Sequence, residues 1–247
     1  LIKMYINEIH ILYYFFICLL GLGVGQLLDW ATLRMSNHKP ILSKDFYKVY
    51  IKDMKLNYKF MYITAIIYVV LLFICGWNLE LIKYLLVAPL LVSAFAIDYK
   101  EQIIPNRLTL TLFEIGLLFA FIEGTGGLSI LIDKLLGLAI GGGIFLIITL
   151  LGGLIAGKEA MGFGDVKLMG ALGIIFGAYN IVIISILAFL LAAIISIILI
   201  VSKKKKSNEY IPFGPFIVIA TFLVMFIPEH IMLIALLKIF TLGTYKL

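Results

Sequence analysis

Two aspartates, each at the end of an apolar segment, are the residues of this sequence best suited to chemistry. Asp98 follows an apolar run in the stretch FAIDYKEQIIPNRLT, and Asp165 leads into another in the stretch MGFGDVKLMG. Each aspartate is followed two residues later by a lysine, Lys100 or Lys167. A charge beside a membrane-spanning segment is costly unless it meets water, a partner charge or a functional role. The pair is therefore a candidate site.

Two carboxylates that face each other can share one proton, because their repulsion raises one pKa and leaves the other low. The ionised member can then take a proton from water while the protonated member donates to a peptide carbonyl. This is the chemistry of an aspartic protease, it needs no metal or nucleotide, and the pair titrates as a unit. Alternatively, each aspartate merely ends a helix, and the spacing alone leaves both interpretations equally open.

A third interpretation is a transporter or channel that uses Asp98 and Asp165 as a proton-coupled or cation-coupled site. Transporters usually hold their substrate and ion sites near the bilayer midplane and often contain inverted repeats. Both aspartates here lie at the ends of apolar runs, and the sequence contains no clear repeat. These two features favour the peptidase over the transporter.

The composition predicts an all-α, polytopic integral membrane bundle around these residues. The chain is 63% hydrophobic and only 14% charged, with a mean hydropathy of +1.14, whereas soluble domains are roughly 45–50% apolar. The charges cluster between long apolar runs, unlike the alternating strands of a membrane barrel. The runs predict about eight transmembrane helices, at 9–28, 60–75, 79–97, 108–122, 130–156, 168–176, 181–201 and 212–227, with 231–240 either completing the last or forming a separate short segment.

The basic residues predict the orientation of this bundle. Most of the 20 Lys and Arg residues fall in four alternate connections, 29–59, 98–107, 157–167 and 202–210. The positive-inside rule places these connections, and both aspartates with them, on the cytoplasmic side. We divide the chain into 1–87, which holds the first spans and the basic loop 29–59, and 88–247, which holds the two aspartate loops.

The loop 29–59 mixes lysines with aromatic and aliphatic residues, which is typical of an amphipathic segment on a membrane surface. The cysteines, Cys18 and Cys75, lie in or beside apolar runs and form no Cys-x-x-Cys pair, so no zinc site is predicted. We expect contact with the membrane and attraction of the lysines to anionic lipid to hold this loop, and no metal.

The stretch GKEAMGFGDVKLMGALG closely resembles the signature of the type IV prepilin peptidases, a family of Gly-x-Gly-Asp membrane aspartic proteases. Three other stretches occur in the family's order. AIDYKEQIIPNRLTL is similar to the family's first-aspartate motif, and IPFGPFIVIA resembles the Pro-Phe-Gly-Pro segment that opens its last span. GLGVGQLLDWATLR is weakly similar to the family's first span. The resemblance covers about 88–220 and the faint N-terminal match.

The resemblance implies that Asp98 and Asp165 are the catalytic pair of a leader peptidase. Such an enzyme cuts the basic leader of type IV prepilins, or of pilin-like pseudopilin and competence precursors, on the cytoplasmic side of a prokaryotic inner or plasma membrane. Its partners are the precursor and the bilayer, with no nucleic acid. The supporting loop residues would be Gly162, Gly164, Lys158, Glu159, Lys167, Pro105 and Asn106, and the structural residues near the site Pro212, Gly214 and Pro215. A salt bridge with no catalytic role is an equally open explanation of Lys158 and Glu159.

The sequence departs from many family members in one respect. Those members carry two Cys-x-x-Cys pairs between the first two spans, interpreted as a zinc module, and also N-methylate the new pilin terminus with S-adenosylmethionine. Loop 29–59 contains no cysteine. We therefore expect no metal and no cofactor for the peptidase, and S-adenosylmethionine only if the chain also methylates, which the sequence leaves open. A related presenilin-like protease is a further alternative, although the Pro-Phe-Gly-Pro segment favours the prepilin branch.

Overall fold

A computed structural model of the chain describes residues 5–7, 9–36, 56–156, 161–203 and 211–241. Over these residues a hairpin of two very short strands, β1 and β2, precedes a helical bundle, and the predicted all-α class is confirmed. In chain order the elements are β1 Tyr5–Ile6, β2 Ile9–His10, α1 Ile11–Ser36, α2 Tyr58–Cys75, α3 Leu79–Glu101, α4 Asn106–Gly124, α5 Leu128–Ala156, α6 Phe163–Phe176, α7 Ala178–Val201, α8 Gly214–Phe226 and α9 Glu229–Phe240.

Each of the eight predicted spans corresponds to one of the helices α1 to α8. By length and composition, α1, α2, α3, α5 and α7 are candidates to cross a membrane. The other three are shorter or carry more charge: α6 has 14 residues, α8 has 13, and α4 contains Arg107, Glu114 and Glu123. The last apolar segment, 231–240, belongs to a separate helix, because Pro228 lies between α8 and α9 and cannot donate the backbone hydrogen bond that would continue α8.

The ends of α3 and α6 differ from the predicted ends in a way that matters for the aspartates. Helix α3 continues to Glu101 and stops at Gln102, which adopts a left-handed conformation with φ 58°. Helix α6 begins at Phe163, ahead of the predicted start of the apolar run. Asp98 therefore lies inside the last turn of α3, and Asp165 inside the first turn of α6.

Helix α6 is the centre of the core, because every residue from Leu168 to Phe176 is buried. It packs unusually close to α5. A Cβ added at Gly173 of α6 would overlap the carbonyl oxygen of Gly137 in α5, and a Cβ at Gly141 would lie 2.5 Å from the carbonyl oxygen of Met169. Glycines at such positions let two helix backbones approach closely.

Two glycines of the first span also allow close helix packing. A Cβ at Gly21 would lie 2.6 Å from the Cα of Ala65, and one at Gly25 would lie 2.6 Å from the Cα of Met61. Both neighbours belong to α2, so these glycines allow α1 and α2 to pack closely. Gly23, between them, has no atom within 4 Å of an added Cβ.

A charged cluster joins the helices at the end of the bundle opposite to Asp98. Glu123 of α4 accepts from the Lys83 ammonium of α3 at 2.7 Å and from the Lys134 ammonium of α5 at 3.0 Å. Lys134 also donates to the carbonyl oxygen of Ile175 in α6 at 2.9 Å. Lys83 and Asp98 are about 22 Å apart along α3, since a helix rises about 1.5 Å per residue. We call Lys83, Glu123 and Lys134 the far-end cluster.

Three predicted features lie outside the described residues: most of the basic loop 29–59, the Lys158–Glu159 pair, and the lysines 204–206. The division of the chain at residue 87 stays a prediction.

Candidate active site

Asp98 is buried, with 3% of its surface exposed. Its Oδ2 atom accepts a hydrogen bond of 2.9 Å from the backbone N–H of Gly214, the first residue of α8. A Cβ at Gly214 would lie 2.5 Å from that same oxygen, so no other residue fits there without displacing the carboxylate. The first N–H groups of a helix have no partner within the helix and favour negative charge. The start of α8 is therefore built to hold the Asp98 carboxylate.

The flanking prolines explain why this amide is so well placed. Pro215 occupies the first turn of α8, where a proline is tolerated because its missing N–H would have no helical partner. Pro212 and Pro215 are both buried, as is Gly214. The structure thus brings all three residues of the predicted Pro-Phe-Gly-Pro segment to the end of α3.

Asp165 is also buried, with 4% of its surface exposed. Its Oδ1 atom has no hydrogen-bond partner among the described residues. Asp165 lies outside the five candidate spans. The pKa of the Asp165 carboxyl is raised to about 7, chiefly by burial and also by the negative charge of Asp98, while the Gly162 backbone opposes the shift. The two carboxylates are therefore close enough for their charges to interact.

The two glycines of the Gly-Phe-Gly-Asp motif have different roles. A Cβ at Gly164 would lie 3.0 Å from the Cβ of Ile104, so this glycine lets α6 approach the connection between α3 and α4. Gly162 precedes α6 with an ordinary extended backbone, φ −70°. A Cβ there would meet nothing closer than Asp165 Oδ2 at 3.7 Å. The steric requirement for glycine therefore falls on Gly164.

Asn106 and Lys167 join the starts of α4 and α6 beside Asp165. The Lys167 ammonium donates to Asn106 Oδ1 at 2.8 Å. Pro105 precedes α4, and its carbonyl oxygen accepts from the N–H groups of Leu108 and Thr109. A cavity of about 460 Å³ opens next to this contact, between α4, α5 and α6. Of the predicted supporting residues, only Lys158 and Glu159 lie outside the described part of the chain.

Sequence reasoning missed two features of the site region. It assigned Gly214 a structural role, whereas the Gly214 amide donates directly to a candidate catalytic carboxylate. It also did not identify Ile104, which packs against Gly164. The signal for Gly214 was a glycine between two prolines at the start of a span, and for Ile104 there was no local signal.

Within residues 5–7, 9–36, 56–156, 161–203 and 211–241, no group of three His, Cys, Asp or Glu side chains could hold a metal ion. Cys18 and Cys75 are both free thiols. The expectation that the chain has no zinc stays a prediction.

Comparisons with known proteins point to one family. Residues 85–197 match the sequence model of the type IV leader peptidase family. A protein of Aeromonas salmonicida called "Prepilin leader peptidase/N-methyltransferase" is 36% identical over 145 residues, which are 59% of this chain and 48% of the relative. Proteins with the same name from Xanthomonas campestris and Legionella pneumophila are 30% identical over 168 residues and 33% over 153, covering 66% and 61% of this chain and 56% and 52% of those proteins.

This chain thus spans about half the length of the curated relatives it matches. No solved structure matches it. The matched region contains both aspartates, the Gly-Phe-Gly-Asp motif and two members of the far-end cluster, Glu123 and Lys134, which the structure places in one bundle. Over residues 85–197, the chain is therefore similar to the type IV leader peptidase family.

Proposed function

We propose that this chain is a membrane aspartic endopeptidase, with Asp98 and Asp165 as its catalytic pair. The observation that carries the proposal is the arrangement of the two carboxylates. They come from different helices, both are buried, and the charge of Asp98 raises the pKa of Asp165. Buried carboxylates that perturb each other's titration are typical of acid–base sites.

The surroundings of the two aspartates suggest how the roles divide. The Gly214 amide donates to Asp98, and such a bond favours the ionised form of a carboxyl. This bond opposes the effect of burial, which disfavours the ionised form, and we assign Asp98 as the base that takes a proton from the attacking water. Asp165, whose pKa is raised to about 7, keeps a proton near neutral pH and donates it to the oxygen of the scissile carbonyl.

The reaction then balances as follows. The water oxygen bonds to the carbonyl carbon, and one water proton passes to Asp98. When the tetrahedral intermediate collapses, the carbon–nitrogen bond breaks and the proton on Asp98 passes to the leaving nitrogen. The hydroxyl proton of the intermediate returns to Asp165 as the carbonyl re-forms. The pair regains its single shared proton.

The substrate class that we propose is a type IV prepilin or a pilin-like pseudopilin or competence precursor, cut after its basic leader. This rests on the family and on the names of the relatives. The basic connections support cleavage on the cytoplasmic side of a prokaryotic cell membrane, because they lie at the same ends of the spans as Asp98 and Asp165. The bilayer and the precursor are the partners.

The side of the membrane can be tested by labelling. In a chain whose Cys18 and Cys75 are replaced by serine, Lys203→Cys should react only with a reagent on the cytoplasmic side. Thr125→Cys, at the end of α4 that is opposite to Asn106, should react only with a reagent on the outer side. Labelling of both positions from the same side would contradict the orientation.

Methyl transfer needs S-adenosylmethionine, so we compared the described cavities with that ligand. The cavity beside Asp165 is lined mostly by apolar residues together with the Lys167 ammonium, which would repel a sulfonium cation. The polar cavity of about 740 Å³ around Glu80, Glu123 and Asp133 lies at the far end of the bundle. Neither fits a methyl donor that acts near the aspartates. The name of the relatives also includes N-methyltransferase, so methyl transfer stays an open prediction for this chain.

The deciding experiment uses the purified full chain in detergent with a prepilin. Asp98→Asn and Asp165→Asn should each reduce cleavage by about 10²- to 10⁴-fold, because neither carboxyl alone can be both acid and base. Glu114→Gln, which changes an exposed carboxylate on α4, is the control and should cleave like the wild type. Near-normal cleavage by either aspartate variant would refute the assignment.

A further inference from the structure

A groove of about 730 Å³ lies between α2, α3 and α8, and the proposed peptidase function makes no use of it. Its walls are apolar along about two helical turns, which is about 10 Å of depth. The residues that form these walls include Phe60, Ile63, Ile67, Phe95, Ile219 and Phe222. We call it the α2–α3–α8 groove.

The groove carries two positive charges at one end. Lys59 is the second residue of α2 and Lys100 is the penultimate residue of α3, and both line the groove. Only residues 76–78 connect α2 to α3, so the helices run antiparallel and both lysines lie at the Asp98 end of the bundle. Both are exposed, and neither forms an ion pair with any residue that the structure describes.

A carboxylate beside this end is already engaged. Asp29 of α1 accepts a hydrogen bond of 2.7 Å from the Asn57 side chain, and Asn57 also lines the groove. Asp29 therefore bonds to an amide, and the two lysines line one end of an apolar groove.

The groove faces away from the two aspartates. The stripe of α3 that lines it consists of Val92, Phe95, Ala96, Tyr99 and Lys100. At about 100° per residue, Asp98 points roughly 130° away from the centre of that stripe. A ligand in the groove would therefore lie against the outer face of α3, away from the catalytic pair, which argues against a peptide awaiting cleavage.

We propose that the α2–α3–α8 groove binds one anionic phospholipid. Its phosphate would lie between Lys59 and Lys100, and one acyl chain would follow the apolar walls. Basic pockets between transmembrane helices are suited to anionic headgroups. The charge pattern distinguishes this ligand from a zwitterionic lipid, because an uncharged or zwitterionic headgroup gains much less from two ammonium groups. The proposal stands independently of the peptidase function.

Native mass spectrometry of the full chain in detergent tests the proposal. The protein is mixed with equal amounts of phosphatidylglycerol and phosphatidylethanolamine that have identical acyl chains. The wild type should retain one phosphatidylglycerol with a preference of about thirtyfold, from about fivefold for each lysine near a headgroup. Lys59→Gln or Lys100→Gln should reduce this preference about fivefold, and the double variant should remove it.

Lys203→Gln is the matched control, since it removes the same charge from the end of α7, outside the groove. Ile219→Trp keeps both lysines but fills the groove, so it should lose the retained lipid. Thermal unfolding checks that each variant is folded. If one of the lysine variants is misfolded, the single exchange at the other lysine is used in its place. Equal retention of the two lipids by the wild type, or wild-type preference in the folded double variant, would overturn the proposal. An equal loss in Lys203→Gln would overturn it too.

Discussion

The close packing of α5 on α6 leads to a sharp test of how Asp165 is positioned. The exchange is Gly173→Ala, which adds one methyl group where it would overlap the carbonyl oxygen of Gly137. Because ordinary contact begins near 3.4 Å, the two helices must separate by about 1 Å or more. Overpacking of this kind costs about 1–3 kcal/mol. Asp165 lies on the displaced helix, and a displacement of about 1 Å can reduce catalysis about 10²-fold.

Gly143→Ala on α5 is the matched control, because an added Cβ there meets no atom within 4 Å. It introduces the same chemical change in a glycine-rich helix. The thermal stability and the cleavage rate should stay near those of the wild type, or the stability should increase slightly. Thermal unfolding in detergent measures the first effect, and initial rates of prepilin cleavage measure the second. If Gly173→Ala unfolds and cleaves like Gly143→Ala, then α6 is not held by this contact and the reasoning is wrong.

Three further predictions concern single groups. The pKa of Asp165 is raised from 3.8 to about 7 in the folded chain. The folded state therefore binds this proton more tightly than the unfolded state, and up to about 4 kcal/mol of stability present below about pH 4 is lost as the pH rises through about 7. Thermal unfolding at about pH 4.5 and pH 8 should show a larger loss in the wild type than in Asp165→Asn, and an equal loss in both would contradict the prediction. Glu123→Gln should destabilise the chain by about 3–5 kcal/mol, because it leaves Lys83 and Lys134 buried beside each other without the carboxylate that pairs with both. Glu114→Gln is the exposed control for that unfolding measurement, and equal melting of the two variants would show that the cluster is not stabilising. Finally, elemental analysis should find no stoichiometric zinc, and cleavage should survive phenanthroline. One bound zinc per chain whose removal abolishes cleavage would contradict this prediction.

The helices themselves could be predicted from the sequence because the signal is local. Long apolar runs separated by short polar stretches place α1 to α8 in order. The helix ends were less predictable. Asp98 follows the apolar part of α3, yet it lies inside the helix, because polar residues in a last turn have the same composition as a loop.

Contacts between distant parts of the chain could not be predicted. Gly214 and Asp98 are 116 positions apart, and no local pattern indicates that an amide of α8 would meet a carboxylate of α3. Lys83 and Lys134 count in the sequence only as scattered basic residues at the ends of spans. In the fold both are buried, because each finds Glu123, and a buried charge is tolerable only with such a partner.

Helix α6 connects the two ends of the bundle and explains why they differ. At its last turn, the carbonyl oxygen of Ile175 accepts from Lys134, whose other partner is Glu123. At its first turn, Asp165 has an oxygen without a partner among the described residues. A buried polar atom left unsatisfied costs about 1–3 kcal/mol, so an arrangement selected for stability alone would remove it. At the far end the charged side chains are paired, and the contact with Ile175 holds the last turn of α6 in place. At the near end one carboxyl oxygen stays available for a proton, which is the property that acid–base chemistry requires.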